Sequence, residues 1–142
     1  VHINQAIDLL AKVVKVIDGD TIEVEVNGEL RRVRYIGIDT PENPMEGKAA
    51  ECFATEATIR NQQLVEGQMV RLVKDVSETD KYGRFLRYVY VGDEFINLSL
   101  IKDGYASSVT FPPDVSQIEV FKIAEQEAKL AKKGLWGEVC IK

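Results

Sequence analysis

The sequence contains few of the side chains on which most hydrolytic sites are built. Among 142 residues there is one histidine, His2, beside two cysteines, one tryptophan and four prolines. A single histidine excludes ribonuclease chemistry that needs two, and zinc sites that pair histidine ligands. A Ser-His-Asp triad or a Cys-His pair would have to use His2, at the terminus of the chain, so we expect neither. Carboxylate and arginine chemistry is what remains.

Long apolar runs and glycine-rich phosphate loops are also absent. No hydrophobic stretch approaches the ~20 residues that cross a bilayer, so we expect no membrane association. No nucleotide-hydrolase phosphate loop is present. The composition, with 45% hydrophobic and 29% charged residues, is that of one ordinary globular domain.

Basic residues are outnumbered by acidic ones. Eighteen Lys and Arg stand against 23 Asp and Glu, which gives a net charge of −5. Affinity for nucleic acids comes largely from basic surface, so this balance argues against tight binding of a polyanion. A small basic cleft on an acidic body is still possible, because the local field and not the average acts on a substrate.

The two cysteines leave two interpretations open. Cys52 and Cys140 lie far apart and lack the spacing of metal ligands. They are either separate thiols or one disulfide that ties the start of a helix to the C-terminal tail. The disulfide would suit an extracytoplasmic protein.

Alternating apolar residues predict five strands. The pattern gives Lys12–Ile17, Thr21–Val26, Leu30–Ile38, Gln68–Lys74 and Phe85–Val91. Asn27-Gly28 is a strong signal for a type I′ hairpin turn between the second and third strands. The first three strands are therefore predicted to form an antiparallel meander.

Three helices are predicted, over Ala50–Glu66, over Asn97–Asp103 and from a capping box at Ser116 onward. The order βββ-α-β-β-α-α predicts an α+β fold, mainly β, with a five-stranded OB-fold barrel and three packed α-helices. We expect residues 12–137 to form this domain. Residues 1–11 would be an N-terminal lead-in and residues 138–142 a C-terminal tail.

Carboxylates and arginines gather in three short segments. Asp18 and Asp20 flank a turn, Asp39 and Glu42 follow the third strand, and Arg84 stands in a tight turn. Oxygen ligands of this kind suit Ca²⁺ or Mg²⁺. Taken separately, the first two segments could be a solvated turn and a capped strand end, and Arg84 could be a surface charge.

Arg34 is harder to explain as a surface residue. It lies inside an apolar strand, where an arginine needs an acidic or phosphate partner. Arg34 and Asp39 are five residues apart, so in an ideal strand they would face opposite sides. For both to reach one site, the strand must bulge or end between them, and Gly37 is the obvious place.

Three motifs in order resemble the staphylococcal nuclease (thermonuclease) family. They are Val16–Ile22, Arg34–Glu42 and Asp80–Arg84, with weaker support from Asn97, Gly104–Ala106 and Gly134–Trp136. The spacings agree over roughly residues 12–137. The resemblance implies an OB-fold and a Ca²⁺-dependent endonuclease that hydrolyses phosphodiester bonds of DNA and RNA.

The resemblance also implies a role for each matching residue. Asp20, Asp39 and the carbonyl of Thr40 would bind Ca²⁺, with Asp18 supporting them from behind. Arg34 and Arg84 would bind the scissile phosphate and stabilise its growing charge. Glu42 would orient or deprotonate a metal-associated water, which attacks in line so that the 5′-oxygen leaves and 3′-phosphate ends remain. The residues flanking the nucleotide would be Lys81, Tyr82 and, as a substitute stacking platform, Phe111.

The chain departs from the family in two respects. The type member is strongly basic, and it carries a tyrosine pair where this chain has Val109–Pro113. The alternative function is a catalytically silent OB-fold module that binds nucleic acid or protein. All five acting side chains of the family are intact here, which favours the enzyme. We further expect a monomer, a preference for single strands and a secreted or cell-surface location.

Overall fold

The computed structural model describes residues 8–140 of the chain, so His2 lies outside the described part. Eight strands and three α-helices occur in this range. The strands are β1 (Asp8–Asp18), β2 (Thr21–Val26), β3 (Glu29–Tyr35), β4 (Ile38–Asp39), β5 (Met69–Val73), β6 (Phe85–Val91), β7 (Glu94–Phe95) and β8 (Ser107–Ser108). The helices are α1 (Ala54–Val65), α2 (Ile96–Lys102) and α3 (Ile118–Leu130), and a 3-10 turn follows at Gly134–Trp136.

The five longer strands close into a barrel. Their order is β3-β2-β1-β5-β6 with antiparallel neighbours, and a parallel pairing of β3 with β6 completes the ring. Closure leaves these strands without a free edge, which protects them from pairing with other chains. The predicted α+β fold, mainly β, with an OB-type barrel and three helices is confirmed.

Period-two alternation explains how the barrel fills its core. In β2, Ile22 and Val24 are fully buried, whereas Glu25, which follows Val24, is exposed. Across the closure, Val33 of β3 is paired with Phe85 of β6. α3 caps the barrel with Phe121, which is 1% exposed and packs edge-on against Tyr88 at a ring separation of 6.2 Å.

Several predicted boundaries are wrong. β1 begins at Asp8 and not at Lys12, because it pairs with β5 along its first five residues, from Asp8 opposite Val73. The expected loose lead-in thus falls on residues 1–7, outside the described part. α1 begins at Ala54 and not at Ala50, because the preceding Phe53 has a φ of 73°, which a right-handed helix cannot contain.

The predicted capping box at Ser116 is also wrong. α3 begins at Ile118, its N-cap is Gln117, and no side chain caps it. The Ser116 N–H instead donates to Asp75 Oδ2 at 3.0 Å, and its hydroxyl lies 3.4 Å from the Tyr88 hydroxyl. Ser116 therefore anchors the loop after β5 and does not serve the helix.

Both predicted special turns are confirmed. Asn27 and Gly28 have φ values of 52° and 81°, as the hairpin turn requires. β3 ends at Tyr35, and Gly37 turns the chain with a φ of 80° before β4 begins. Because the strand ends between them, Arg34 and Asp39 can face the same side, and their side chains lie 3.4 Å apart.

Gly37→Ala is expected to destabilise the protein by about 2–4 kcal/mol. A Cβ at this position would lie 2.6 Å from the Phe121 ring, in addition to the strain of a positive φ. Gly28→Ala is the matched control, since it has a similar φ of 81° and nothing within 4 Å of the added Cβ. Chemical denaturation should show a clearly larger loss for Gly37→Ala, and equal losses would contradict the role assigned to the Phe121 contact.

The structure decides between the two interpretations of the cysteines. Cys52, two residues before α1, forms a disulfide with Cys140 at a sequence separation of 88 residues. The segment before Cys140 is held from a second side, because the Leu135 N–H donates to the Gly104 carbonyl at 2.8 Å. The C-terminal segment is thereby fixed beside the loop that follows β4.

Candidate functional site

Asp20 stands at the centre of the site, and both of its carboxylate oxygens have partners. It is 6% exposed. Oδ2 accepts hydrogen bonds from the Thr40 N–H at 3.0 Å and the Thr40 hydroxyl at 3.1 Å. Oδ1 accepts from the Thr21 hydroxyl at 3.0 Å. These contacts join the start of β2 to the end of β4, so the site is fixed between two strands.

Arg34 is held between carboxylates and backbone carbonyls. Its Nη1 donates to the carbonyls of Tyr35 at 2.7 Å and Ile38 at 2.8 Å. Its Nη2 lies 3.4 Å from both Asp20 Oδ2 and Asp39 Oδ1. The side chain is only 11% exposed, so the partner predicted for an arginine in this strand is present. The guanidinium also lies over the Phe111 ring, 5.3 Å from its centroid.

Asp18 lies behind Asp20 and supports the turn between β1 and β2. Its Oδ1 accepts the Asp20 N–H at 3.0 Å. Burial and the neighbouring Asp20 charge raise the pKa of Asp18 to about 6. The Asp18 carbonyl accepts from Asn61 Nδ2 at 2.9 Å, and Asn61 Oδ1 in turn accepts from the Tyr35 hydroxyl at 2.7 Å.

Asp39 faces the open side of the same cluster, with 56% of its side chain exposed. Partial burial of the side chain raises the pKa of Asp39. The negative charges of Asp20, Glu42 and Glu51 raise this pKa further, whereas the positive charge of Arg34 lowers it. The β4–β8 pairing fixes its backbone, where Ser107 Oγ donates to the Asp39 carbonyl at 3.3 Å. The site therefore carries more negative charge than its one guanidinium neutralises.

Glu42 and Glu51 close a loop beside these carboxylates. The Glu42 N–H donates to Glu51 Oε1 at 2.8 Å, and the Glu42 side chain is exposed. A cavity of about 260 Å³ opens next to this loop. Its lining consists of Asp39, Thr40, Pro41, Glu51, Cys52, Ser107, Leu135 and Trp136.

Arg84 belongs to a second, smaller cluster built on Asp80. Its Nε donates to Asp80 Oδ2 at 2.7 Å, while Asp80 Oδ1 accepts the N–H groups of Tyr82 at 2.9 Å and Arg84 at 3.0 Å. Arg84 and Lys81 both lie over the Tyr82 ring, at 5.4 and 5.2 Å from its centroid. Tyr82 is 72% exposed, so a flat, positively charged platform faces solvent.

The barrel closure brings the second cluster toward the first. In the parallel pairing of β3 with β6, Arg34 is opposite Leu86, two residues after Arg84. Side chains two residues apart along a strand share a face, and Arg84 directly precedes β6. If the alternation of the strand continues to it, Arg84 lies on the same side as Arg34. Direct contacts join five of the predicted residues: Asp20, Arg34, Asp39, Thr40 and Phe111. Glu42 lies close enough for its charge to raise the pKa of Asp39. The described contacts do not join Arg84 to the carboxylates.

The donor set fits a hard divalent cation. Within residues 8–140 no three His, Cys, Asp or Glu side chains group as metal ligands. The predicted set, however, comprises two carboxylates and one backbone carbonyl. Burial is the largest cause of the raised pKa values of Asp18 and Asp39, and the charge of Asp20 raises both further. Oxygen donors with surplus negative charge are what Ca²⁺ or Mg²⁺ requires.

We expect the protein to lose stability in acid because of two loop carboxylates, Asp80 and Asp114. Hydrogen bonds from Tyr82 and Arg84 lower the pKa of Asp80, and those from Val76 and Ser77 lower the pKa of Asp114, in both cases against the effect of burial. In the folded protein the pKa values of both carboxylates are below the unfolded value of 3.8. The stabilisation of the fold by these two groups is therefore complete above pH 3.8 and is lost as the pH falls through their pKa values in the folded protein. Urea unfolding between pH 5 and about pH 2 should show the decline. Asp114→Asn should flatten the decline, and parallel curves for the two proteins would contradict this assignment.

Two residues that support the site, Asn61 and Glu51, are not among those predicted from the sequence. Asn61 is fully buried, and it links α1 to the carbonyl of Asp18 and the hydroxyl of Tyr35. Its helical neighbourhood gave no signal, because only tertiary contacts distinguish a buried asparagine from a solvated one. Glu51 was assigned to the first turn of a helix, whereas it lies in the loop and contacts Glu42.

None of the helices in residues 8–140 is long and apolar enough to cross a membrane. The sequence profile described as "Staphylococcal nuclease homologue" matches residues 32–138. The chain is similar to a thermonuclease of Staphylococcus hyicus, with 38% identity over 125 residues that cover 88% of this chain and 74% of that protein.

Two Bacillus subtilis proteins are also similar. Endonuclease YncB is 37% identical over 126 residues, which cover 87% of this chain and 60% of YncB. The SPbeta prophage-derived endonuclease YokF is 38% identical over 126 residues, which cover 87% of this chain and 43% of YokF. The chain therefore spans less than two thirds of each of these two endonucleases.

Proposed function

Because the chain belongs to the staphylococcal nuclease family, we propose that it is a calcium-dependent endonuclease that hydrolyses phosphodiester bonds of DNA and RNA. The observation that carries this proposal is the Arg34 guanidinium, 3.4 Å from both Asp20, in the turn before β2, and Asp39, at the end of β4. One guanidinium does not balance the charge of the several carboxylates around it, so the cluster is not a complete structural ion pair. It is suited to a site that receives a metal and a phosphate together.

Asp20, Asp39 and the Thr40 carbonyl would hold the calcium ion. Asp20 is oriented by Thr21 and Thr40, and Asp39 is open to solvent, so a ligand can enter from the Asp39 side. When bound, calcium would neutralise negative charge on a phosphate oxygen. The exposed Asp39 carboxylate leaves the ligand geometry free to adjust, which suits Ca²⁺ better than Mg²⁺, because Mg²⁺ demands a stricter octahedral geometry.

Arg34 and Arg84 would bind the scissile phosphate from two sides. Arg34 is fixed by two backbone carbonyls, so its orientation does not depend on the substrate. Preorganised cations stabilise charge that develops on the phosphoryl oxygens in the transition state. Glu42 would accept a proton from the attacking water as the bond to phosphorus forms. The bond to the 5′-oxygen would break, and that oxygen would take a proton from solvent, so the products would end in a 3′-phosphate and a 5′-hydroxyl.

The aromatic residues beside the two arginines suit an unpaired strand. Phe111 lies against Arg34, and Tyr82, with Lys81 above it, lies against Arg84. Bases that are not stacked in a duplex can stack on such side chains, so single-stranded DNA and RNA would be cut preferentially. We further propose that the protein acts as a monomer in an extracytoplasmic location, where its disulfide would persist.

The test is degradation of a single-stranded DNA with Ca²⁺, with Mg²⁺ and with EGTA, at low and at moderate salt. Cleavage should require Ca²⁺, proceed far more slowly with Mg²⁺, and stop in the Glu42→Gln/Arg84→Ala double variant. The new ends should lose phosphate to a 3′-phosphatase. No cleavage by the unaltered protein at either salt would instead support the alternative, a catalytically silent binding module.

A further inference from the structure

The loop that carries Glu42 is closed at its base by a reciprocal pair of hydrogen bonds. The Glu42 N–H donates to Glu51 Oε1 at 2.8 Å, and the Glu51 N–H donates to the Glu42 carbonyl at 2.9 Å. Both residues are exposed, so burial does not fix them. The position of the Glu42 backbone therefore depends on where Glu51 is held.

Glu51 is anchored through the residue that follows it. Cys52 forms the disulfide with Cys140, while α1 does not begin until Ala54. The disulfide joins this short non-helical segment to the C-terminal segment, which is itself bonded to the end of α2 through Leu135. Glu51 and Cys52 also line the cavity, together with Asp39.

We propose that Glu51 is a positioning residue for Glu42, and that the Cys52–Cys140 disulfide maintains this position. The rate of phosphodiester hydrolysis then depends on a covalent bond whose second half lies 88 residues away in the sequence. The proposal rests on the proposed function, in which Glu42 takes the proton of the attacking water. Glu51 acts on this proton transfer through Glu42, by fixing the backbone from which the Glu42 carboxylate projects.

Glu51→Ala separates positioning from binding. Loss of an acceptor that holds a catalytic loop should lower kcat about 10-fold and leave KM for an oligonucleotide and the calcium midpoint within about twofold. Glu51→Gln should restore most of kcat, because its amide oxygen can still accept the Glu42 N–H. Lys48→Ala is the matched control. It removes the 3.8 Å contact to the other Glu51 oxygen and should leave kcat unchanged.

The disulfide is tested by coupling to Glu51. Cys52→Ser/Cys140→Ser, assayed well below its melting temperature, should lower kcat several-fold. In a Glu51→Ala background the same change should lower kcat by less than about twofold, since both act on one position. Effects that multiply independently would overturn the proposal, and so would wild-type kcat in Glu51→Ala.

A measurement without catalysis separates this proposal from the proposed function. NMR of the Glu42 amide should show faster hydrogen exchange in Glu51→Ala and in the cysteine double variant than in the unaltered protein. An unchanged exchange rate would overturn the positioning role, even in an active enzyme. Failure of the unaltered protein to cut DNA would overturn the proposed function, while the exchange result would still decide whether Glu51 and the disulfide hold Glu42.

Discussion

Arg84→Ala is expected to lower kcat about 10³-fold while the melting temperature changes little. The guanidinium would stabilise negative charge on the phosphate in the transition state, and alanine offers no substitute. Its ion pair with Asp80 contributes little stability, because the side chain is 30% exposed and solvent screens the pair. Asp80 would still accept the two N–H groups of its turn, so the local fold should persist.

Arg71→Ala is the matched control for Arg84→Ala. Arg71 also pairs with an aspartate, Asp8, and lies over a tyrosine ring, Tyr90, at 4.3 Å. The two arginines thus share the same kind of surroundings, but Arg71 is outside the proposed site and its variant should retain full kcat. Single-turnover kinetics with saturating Ca²⁺ would measure both. Equal activity in the two variants would show that Arg84 does not bind the phosphate.

The same substitution at Arg34 should have a different effect on stability. Arg34→Ala would leave two backbone carbonyls without their donor and would leave Asp20 without its cation. We therefore expect loss of activity together with destabilisation. Although both arginines would bind the phosphate, only Arg34 also holds the backbone of the site in place.

Glu42→Gln is expected to lower kcat about 10²- to 10⁴-fold and to leave the calcium midpoint unchanged. The amide preserves shape and the backbone contact with Glu51, but it cannot accept a proton. Asp39→Asn, by contrast, should weaken calcium binding, because it removes a charge from the proposed ligand set. Titration of activity with Ca²⁺ would separate the two effects.

Glu46→Gln is the control for Glu42→Gln, since it makes the same chemical change in the same exposed loop. It should retain wild-type kcat. A Glu42→Gln protein as active as Glu46→Gln would exclude Glu42 as the base. A Glu42→Gln protein with a large shift in calcium midpoint would instead place Glu42 among the ligands.

The sequence by itself predicted the five barrel strands, apart from their exact ends, the two special turns, and the candidate carboxylates and arginines. Alternation specified the strands because a half-buried strand has a period of two, and Asn27-Gly28 and Gly37 marked positions where φ must be positive. An arginine in an apolar strand indicated a buried partner before that partner was known. These are local properties, and a sequence contains them directly.

Only the tertiary structure decided how these residues meet. The parallel pairing of β3 with β6, which favours Arg84 on the side of Arg34, joins segments about fifty residues apart and leaves no periodic signal. The start of α1 at Ala54, the contact of Glu51 with Glu42 and the choice of a disulfide all depend on what packs nearby. Helical spacing continues through residues 50–53, but Phe53 adopts a left-handed conformation, in which its ring packs at a tilt against Tyr105 with 5.4 Å between the ring centroids. Packing energy outweighs local preference there, and no pattern within the sequence records that outcome.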